Sequence, residues 1–267
     1  MFSKFVDIGG TAIHYLHNGR STLPNVPPEL TPGEVLLFLH GAGSNANTWR
    51  RQIEHFDGKH GALAFDLPAH GRSGTTDGLA TLAEMTELTR AFAADLRLRP
   101  FVFVGRAMGG AIGIELALAE PRMLRGLVLV ATPARFEIPQ ASLDTWHDVA
   151  RGRKTQPFTT DLFSPKTDFA VMREAWTEQV KTDPRVRHTD LLACRGLDFG
   201  SRLAEIRVPT LVVTGRDDRF APPEKAEEVQ RAIPGARLVV IDEAGHTLAS
   251  ERPDAFHCAL EDFLEGL

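Results

Sequence analysis

A glycine-rich loop near the start of this sequence is suited to chemistry on a developing negative charge. The loop His40-Gly41-Ala42-Gly43-Ser44 directly follows the apolar run Val35–Leu39. Glycines at the end of a strand allow backbone N–H groups to turn toward a ligand, which is how an oxyanion hole is built. Because a His-Gly pair after a strand is also a common turn, this loop alone does not establish a site.

A second loop, Gly105-Arg106-Ala107-Met108-Gly109-Gly110, lies between the apolar run 101–104 and a helical pattern over Met108–Ala119. Small residues two positions before and after Ala107 permit a sharp turn from strand to helix. Such a turn lifts the side chain of Ala107 above the sheet, beside a helix N-terminus whose free N–H groups favour negative charge. We therefore expect residue 107 to stand at the centre of a candidate site.

The elements that position these loops are indicated by apolar runs that alternate with helical patterns. Continuous apolar runs are typical of strands buried on both faces, and repeated strand–helix–strand order predicts an α/β fold with a mostly parallel sheet. Gly9-Gly10, between the runs 5–8 and Thr11–His17, predicts an opening antiparallel hairpin. The predicted strands that follow are 35–39, 63–65, 101–104, 127–130, 211–213 and 238–241, and the predicted helices are 47–56, 82–96, 108–119, 223–233 and 253–264.

The alternation stops between residues 136 and 203, where helical pieces over 142–151, 168–181 and 185–195 replace the strands. We interpret 136–203 as a helical cap inserted into an α/β core made of 1–135 and 204–267, over the strand ends where open α/β sheets bind ligands. A separate domain is the alternative, but few large aliphatic residues are available for its core. Aromatic residues that could line a pocket under the cap are Phe136, Trp146, Phe158, Phe163, Phe169 and Trp176.

Composition restricts the class of protein. The 267 residues are 43% hydrophobic and 24% charged, with 30 Lys and Arg against 35 Asp and Glu, which argues against a nucleic-acid partner. Cys194 and Cys258 match no metal-binding spacing and are expected to be free thiols. The N-terminus lacks the apolar stretch of a signal peptide, and the apolar region 101–119 is interrupted by charges, so we expect a cytoplasmic protein with no membrane contact. The proline-containing stretch 21–33 is predicted to be a surface loop.

Taken together, the motifs resemble those of the α/β-hydrolase superfamily over essentially the whole chain, in particular its capped small esterases, lactonases and carbon–carbon bond hydrolases. The resemblance implies an α/β-hydrolase fold. The matching segments are 40–43, 66–73 (Asp-Leu-Pro-Ala-His-Gly-Arg-Ser), 105–110, 215–218 (Gly-Arg-Asp-Asp) and 244–246 (Ala-Gly-His).

The resemblance also implies roles for individual residues. Asp218, three residues after Gly215, takes the place of the acid in preference to Asp217. His246 takes the place of the base. The turn at residue 107, the acid and the base follow one another along the chain in the order expected for this fold. The substrate oxygen that becomes negative would lie beside Gly41 and accept hydrogen bonds from the backbone N–H groups of Ala42 and Met108.

One position departs from the family pattern in a way that affects the chemistry. The motif Gly-x-Ser-x-Gly has its nucleophile where this chain has Ala107, and a methyl group cannot attack a carbonyl. Removing the serine of a triad lowers turnover by a factor on the order of 10⁶. Arg106 is a second departure. A deliberate Ser→Ala change and a natural loss of the nucleophile both fit Ala107, although the first leaves Arg106 unexplained.

We therefore expect a hydrolase for a small carboxylic ester, lactone or related acyl substrate, whose parent form uses Ser, His246 and Asp218 and which Ala107 inactivates. The first alternative is an enzyme without a nucleophile, a lyase or cofactor-independent oxygenase that uses only His246 and Asp218. The second is a ligand-binding protein without catalysis. No metal or organic cofactor is expected, because no HExxH, P-loop or GxGxxG motif is present. The expected partner is a small molecule, and the choice between monomer and homo-oligomer stays open.

Overall fold

The strands of this chain form one mixed sheet. The computed structural model describes residues 1–20, 23 and 26–267, so four residues of the predicted loop 21–33 lie outside the described part. Eight strands occur in that part: β1 (Phe2–Ile8), β2 (Thr11–His17), β3 (Val35–Leu39), β4 (Gly61–Phe65), β5 (Phe101–Arg106), β6 (Leu124–Val130), β7 (Thr210–Gly215) and β8 (Arg237–Ile241). Their spatial order is β1-β2-β4-β3-β5-β6-β7-β8. β2 pairs antiparallel with β1 and β4, and every other neighbouring pair is parallel.

Helices connect the parallel strands, as the alternation in the sequence predicts. Those in the described residues are α1 (Arg50–His55), α2 (Leu82–Asp95), α3 (Met108–Ala119), α4 (Gln140–Ala150), α5 (Phe169–Gln179), α6 (Pro184–Cys194), α7 (Pro223–Ala232), α8 (Leu248–Glu251) and α9 (Pro253–Leu264). None of these helices is long and apolar enough to cross a membrane.

The core lies on both faces of the sheet because the central strands are apolar at every position. All five residues of β3 are buried. Leu37 and Leu39 belong to the core on one face, with Phe92 of α2, whereas Leu36 and Phe38 belong to the core on the other. Successive side chains of a strand point to opposite faces, so an uninterrupted apolar run supplies both layers.

Residues 136–203, which we call the helical segment, lie between β6 and β7 and contain α4, α5 and α6 but no strand of the sheet. The two ends of the segment approach each other, since Arg135 and Asp198 form an isolated antiparallel bridge. Asp168 and Asp183 precede α5 and α6 and accept hydrogen bonds from Ala170 N–H and Arg185 N–H, so each caps its helix. The two ends of the segment therefore lie close together beyond the carboxyl end of β6. Because β6 and β7 are parallel, the chain then returns to the opposite edge of the sheet before β7 begins.

Candidate active site

The turn between β5 and α3 presents residue 107 at the carboxyl edge of the sheet. Ala107 has φ 49° and ψ −109°, a backbone conformation that is uncommon outside glycine and costs about 1–3 kcal/mol unless its surroundings hold it. Its N–H donates to the carbonyl of Val130 at 2.9 Å. A Cβ on Gly109 would lie 2.6 Å from the carbonyl oxygen of Leu39. Glycine at position 109 therefore lets α3 approach β3 closely enough to close the sharp turn.

Asp218 and His246 follow β7 and β8 and form a hydrogen-bonded pair beside this turn. His246 Nδ1 lies 3.0 Å from Asp218 Oδ2 and 3.2 Å from Oδ1. Asp218 is only 3% exposed, and its Oδ1 also accepts hydrogen bonds from the N–H groups of Phe220 and Ala221. Burial by itself would raise the pKa of Asp218, but the positive potential of His246 and these donors outweigh it and lower the pKa. The carboxylate is thus held ionised against the imidazole.

The neighbouring carboxylate, Asp217, points elsewhere. Its Oδ2 accepts a hydrogen bond from Ser164 Oγ of the helical segment at 2.5 Å. Asp218, and not Asp217, is therefore the acid that is hydrogen-bonded to His246, as the spacing in the sequence predicts.

Backbone N–H groups of two loops are available next to residue 107. Ala42 donates its N–H to no group in the part of the chain that the structure describes. Met108 is the first residue of α3, and the N–H groups of a first helical turn have no partner within the helix. Gly41, Ala42, Ala107 and Met108 line the same cavity as His246. The residues singled out from the sequence are therefore brought together at one place.

A buried carboxylate of the helical segment holds the loop that carries Ala42. Asp190 Oδ2 accepts the N–H of Gly43 at 2.7 Å and lies 2.8 Å from His70 Nε2. Burial by itself would lower the pKa of His70, but the charge of Asp190 outweighs it, and the pKa is raised. Asp190 therefore ties α6 to the Gly41–Gly43 loop through Gly43 and to the loop after β4 through His70.

A second buried carboxylate, Glu251, holds the loop of His246. Its two oxygens accept hydrogen bonds from the N–H groups of Gly245 and Thr247, on either side of the histidine. Glu251 also accepts the N–H of Ser164 at 2.8 Å and the hydroxyls of Thr167 and Thr247. The loop of His246 and the helical segment are thus fixed to the same side chain.

The cavity above these residues has a volume of about 520 Å³. Residues of the helical segment supply much of its wall, among them Phe136, Trp146 and Leu191. Of the six aromatic residues considered from the sequence, only Phe136 and Trp146 line it. Phe163 is buried elsewhere, Phe158 and Phe169 are exposed, and Phe158 packs against Trp176.

Two arginines of the cavity wall differ from its other charged residues because they form no salt bridge with a described residue. At the edge of the cavity, Arg135 is paired with Asp198 and Glu228, Lys225 with Glu137, and Asp161 with Arg219. Arg106 and Arg187 also line the cavity, but neither forms a salt bridge with any described residue. The wall therefore carries two positive charges without a salt-bridge partner, although the charges of Asp218 and Glu251 act on Arg106 and that of Asp190 acts on Arg187.

Sequence reasoning missed Arg187, Asp190 and Glu251. Each lies in a helix. Asp190 contacts Gly43, which is 147 positions away in the chain. Glu251 contacts Ser164, which is 87 positions away, in addition to the nearby Gly245 and Thr247. The spacing of Arg187 and Asp190 places them on one side of α6, and this is the only local signal that could have drawn attention to them. Cys194 is buried in the cavity wall, Cys258 is exposed, and both are free. Among the described residues no group of three or more His, Cys, Asp or Glu side chains could hold a metal ion.

Comparisons with known proteins agree with this fold. RutD of Azorhizobium caulinodans, a protein named as a carbamate hydrolase, is 32% identical over 245 residues, which are 86% of this chain and 91% of the relative. A pimeloyl-(acyl-carrier protein) methyl ester esterase of Edwardsiella ictaluri is 28% identical over 245 residues, which are 86% and 93% of the two chains. A crystal structure of a hydrolase from Pseudomonas aeruginosa PA01 superimposes with a TM-score of 0.82 at 26% identity, covering 98% of both chains.

An enol-lactonase from Burkholderia xenovorans LB400 shares the fold, with a TM-score of 0.83 at 24% identity over 98% of this chain and 99% of that one. The model of the family described as the alpha/beta hydrolase family matches residues 36–257. That match spans the turn at residue 107, Asp218 and His246, and so includes every part of the site built above. The chain is therefore a member of the alpha/beta hydrolase family.

Proposed function

We propose that this chain is a hydrolase for a small carboxylic ester, lactone or related acyl substrate whose covalent step is disabled by Ala107. The observation that carries the proposal is the hydrogen-bonded pair of Asp218 and His246, which borders the same cavity as the strained turn at residue 107. The names of two relatives, a carbamate hydrolase and a methyl ester esterase, support an acyl substrate.

In a form with serine at position 107, the hydroxyl would attack the substrate carbonyl at the tip of the turn. His246 Nε2, which forms no hydrogen bond with the described residues, would take the hydroxyl proton. Asp218 would hold the imidazole in the required tautomer and stabilise its charged form. The N–H groups of Ala42 and Met108 would donate to the oxygen that becomes negative. The acyl group would then be released to water, with His246 activating the water molecule.

The helical segment 136–203 acts in this proposal as a cap on the core formed by 1–135 and 204–267. It supplies apolar side chains to the cavity wall, and these exclude water from the acyl group. We expect the chain with Ala107 to retain substrate binding, because this cavity wall does not depend on a serine at position 107. Turnover is expected to be lower than in the serine form by a factor on the order of 10⁶.

The test is the variant Ala107→Ser with p-nitrophenyl acetate and butyrate, followed by stopped-flow absorbance. We expect a burst of one p-nitrophenolate per active site and steady turnover at least about 10³-fold above the unchanged chain, since a triad serine contributes about 10⁶. The double variant Ala107→Ser/His246→Ala is the matched control and should lose both. Because Arg106 adjoins the turn, Ala107→Ser/Arg106→His is measured in parallel.

Two results would contradict the proposal. If folded serine variants give no burst with esters or lactones, the function is ligand binding without catalysis. If the unchanged chain already turns over substrate through His246 and Asp218 without a burst, the function is that of an enzyme without a nucleophile. Circular dichroism of each variant establishes that it is folded.

A further inference from the structure

Arg106 and Arg187 lie on either side of the Gly41–Gly43 loop. A Cβ on Gly41 would be 3.4 Å from Arg106 Nε, and a Cβ on Gly43 would be 2.5 Å from Arg187 Cγ. The loop residue between these glycines is Ala42, whose N–H is free of partners within the described residues. The guanidinium group of Arg106 and the side-chain stem of Arg187 therefore adjoin the loop that would bind a substrate carbonyl, and both arginines line the cavity above it.

The two arginines are partly desolvated and repel each other. Burial lowers the pKa of each to about 10, and the charge of Arg106 contributes to the shift of Arg187. Both still carry a charge at neutral pH. Arg187 stacks on Trp146, with Cζ 4.1 Å from the ring centroid, and donates through Nη1 to Gln179 at 2.9 Å. These contacts fix the guanidinium plane. The charge of Asp190 acts on Arg187, but this carboxylate contacts Gly43 and His70 and forms no salt bridge with the arginine.

A structural explanation does not fit this arrangement. The third arginine of the same cavity wall, Arg135, has two carboxylate partners, Asp198 and Glu228. Arg187 Nε is buried and has no hydrogen-bond partner. Partly buried charges are normally paired, because leaving one unpaired costs free energy. An arrangement that lowers the stability of the free protein is reasonable where a ligand supplies the missing partner.

We infer that Arg106 and Arg187 form a subsite for a carboxylate group of the substrate, placed next to the carbonyl that reacts. A planar carboxylate accepts up to four hydrogen bonds and matches the fork of a guanidinium group. The remainder of the cavity wall is largely apolar, with Phe136, Trp146 and Leu191. The substrate class is thus an acyl compound with a carboxylate a few bonds from the scissile bond and an apolar remainder. This inference rests on the proposed function for the identity of the reacting group, but the binding it predicts does not require catalysis.

Monomethyl and dimethyl glutarate are the probes, because they differ only in one free carboxylate. The unchanged chain is expected not to cleave them, so calorimetry can measure the binding of the intact esters. We expect the monoester to bind at least about 10-fold more tightly than the diester, since a hydrogen bond to a charged group contributes that much or more. In Arg106→Gln and Arg187→Gln the preference should fall about 10-fold, because the monoester loses a hydrogen bond to a charged group and the diester does not. Arg187→Lys keeps the charge and should retain part of the preference.

Arg135→Gln is the matched control, because Arg135 lines the same cavity but has carboxylate partners. Its preference for the monoester should stay within about 2-fold of the unchanged chain, as expected for a paired, exposed charge. A second readout separates ligand binding from a structural role. Without ligand, Arg106→Gln should unfold at the same or a higher urea concentration than the unchanged chain.

Equal binding of the two esters, or a preference that survives both glutamine substitutions, would overturn the carboxylate subsite. Displacement of the monoester by inorganic phosphate at equal concentration would overturn the assignment to a carboxylate. A lower urea midpoint for Arg106→Gln would show that the arginine is structural. These results are independent of the burst test, because the proposed function is tested by turnover and the carboxylate subsite by the binding of intact esters.

Discussion

Replacing Glu251 by glutamine tests whether this buried carboxylate holds the site together. The substitution keeps the shape of the side chain but turns one acceptor oxygen into an NH₂ donor. Oε1 accepts the N–H and the hydroxyl of Thr247, and Oε2 accepts the N–H of Ser164 and the hydroxyl of Thr167. Each oxygen also lies within 3.1 Å of Gly245 N. Whichever oxygen is replaced, at least one backbone N–H then meets a donor.

The expected loss follows from these contacts. A buried N–H without an acceptor costs about 1–3 kcal/mol, and the hydrogen bonds that remain weaken by about 1 kcal/mol each when their acceptor loses its charge. Threonine hydroxyls can rotate to relieve part of the conflict, whereas backbone N–H groups cannot. Since neighbouring effects are not additive, we expect Glu251→Gln to lower the free energy of unfolding by about 3–5 kcal/mol.

Urea denaturation followed by far-ultraviolet circular dichroism measures this loss. Glu243→Gln is the matched control, because Glu243 lies on the same loop but is exposed and pairs with Arg252 at 3.3 Å. An exposed pair of this kind contributes about 0–1 kcal/mol, so the control should be nearly unchanged. A loss below about 1 kcal/mol for Glu251→Gln would refute the reasoning, because unsatisfied buried donors cost more than that.

Two further predictions concern the pair of acids and the turn. In the Ala107→Ser background, Asp218→Asn should lower kcat for p-nitrophenyl butyrate by about 10⁴-fold, because the imidazole loses the partner that selects its tautomer. Asp217→Asn should stay within about 3-fold, and equal effects of the two substitutions would reject the assignment. Gly109→Ala should lower the free energy of unfolding by about 1–3 kcal/mol, because its Cβ would collide with a backbone carbonyl of β3. Gly74→Ala, where the nearest atom lies at 3.5 Å, is the control for that measurement.

Local patterns were sufficient to predict the fold. The run Val35–Leu39 is a strand with the predicted bounds because every side chain in it is buried. α9 also has its predicted bounds, Pro253–Leu264. The helix predicted over 47–56 is instead a 3₁₀ turn, Ala46–Trp49, followed by α1. Its start is set by Asn45, whose side chain accepts the N–H of Asn47, and caps of this kind shift element boundaries by a residue or two.

Only those site residues that belong to recognisable sequence motifs could be predicted. The positions 41, 42, 107, 108, 218 and 246 belong to loops that directly follow strands, so the sheet topology brings them together. Asp190 and Glu251 act through side chains that reach distant backbone, and no spacing in the sequence encodes such contacts. The charge on Arg106 was visible in the sequence. That it forms no salt bridge with a described residue could be seen only in the structure.

The bonds from the helical segment to both loops determine the order in which the site can be assembled during synthesis. A nascent chain that has reached residue 135 already contains the turn at residue 107, but its Gly43 N–H has no Asp190 to bind. After residue 203 has emerged, the N–H of Ser164 still lacks its acceptor, the carboxylate of Glu251. The N–H groups of Gly245 and Thr247 likewise have their acceptor only after Glu251 of α8 is available, so the loop of His246 is fixed after the turn at residue 107 and the helical segment have formed. Until then the growing chain has a cavity wall but no fixed base.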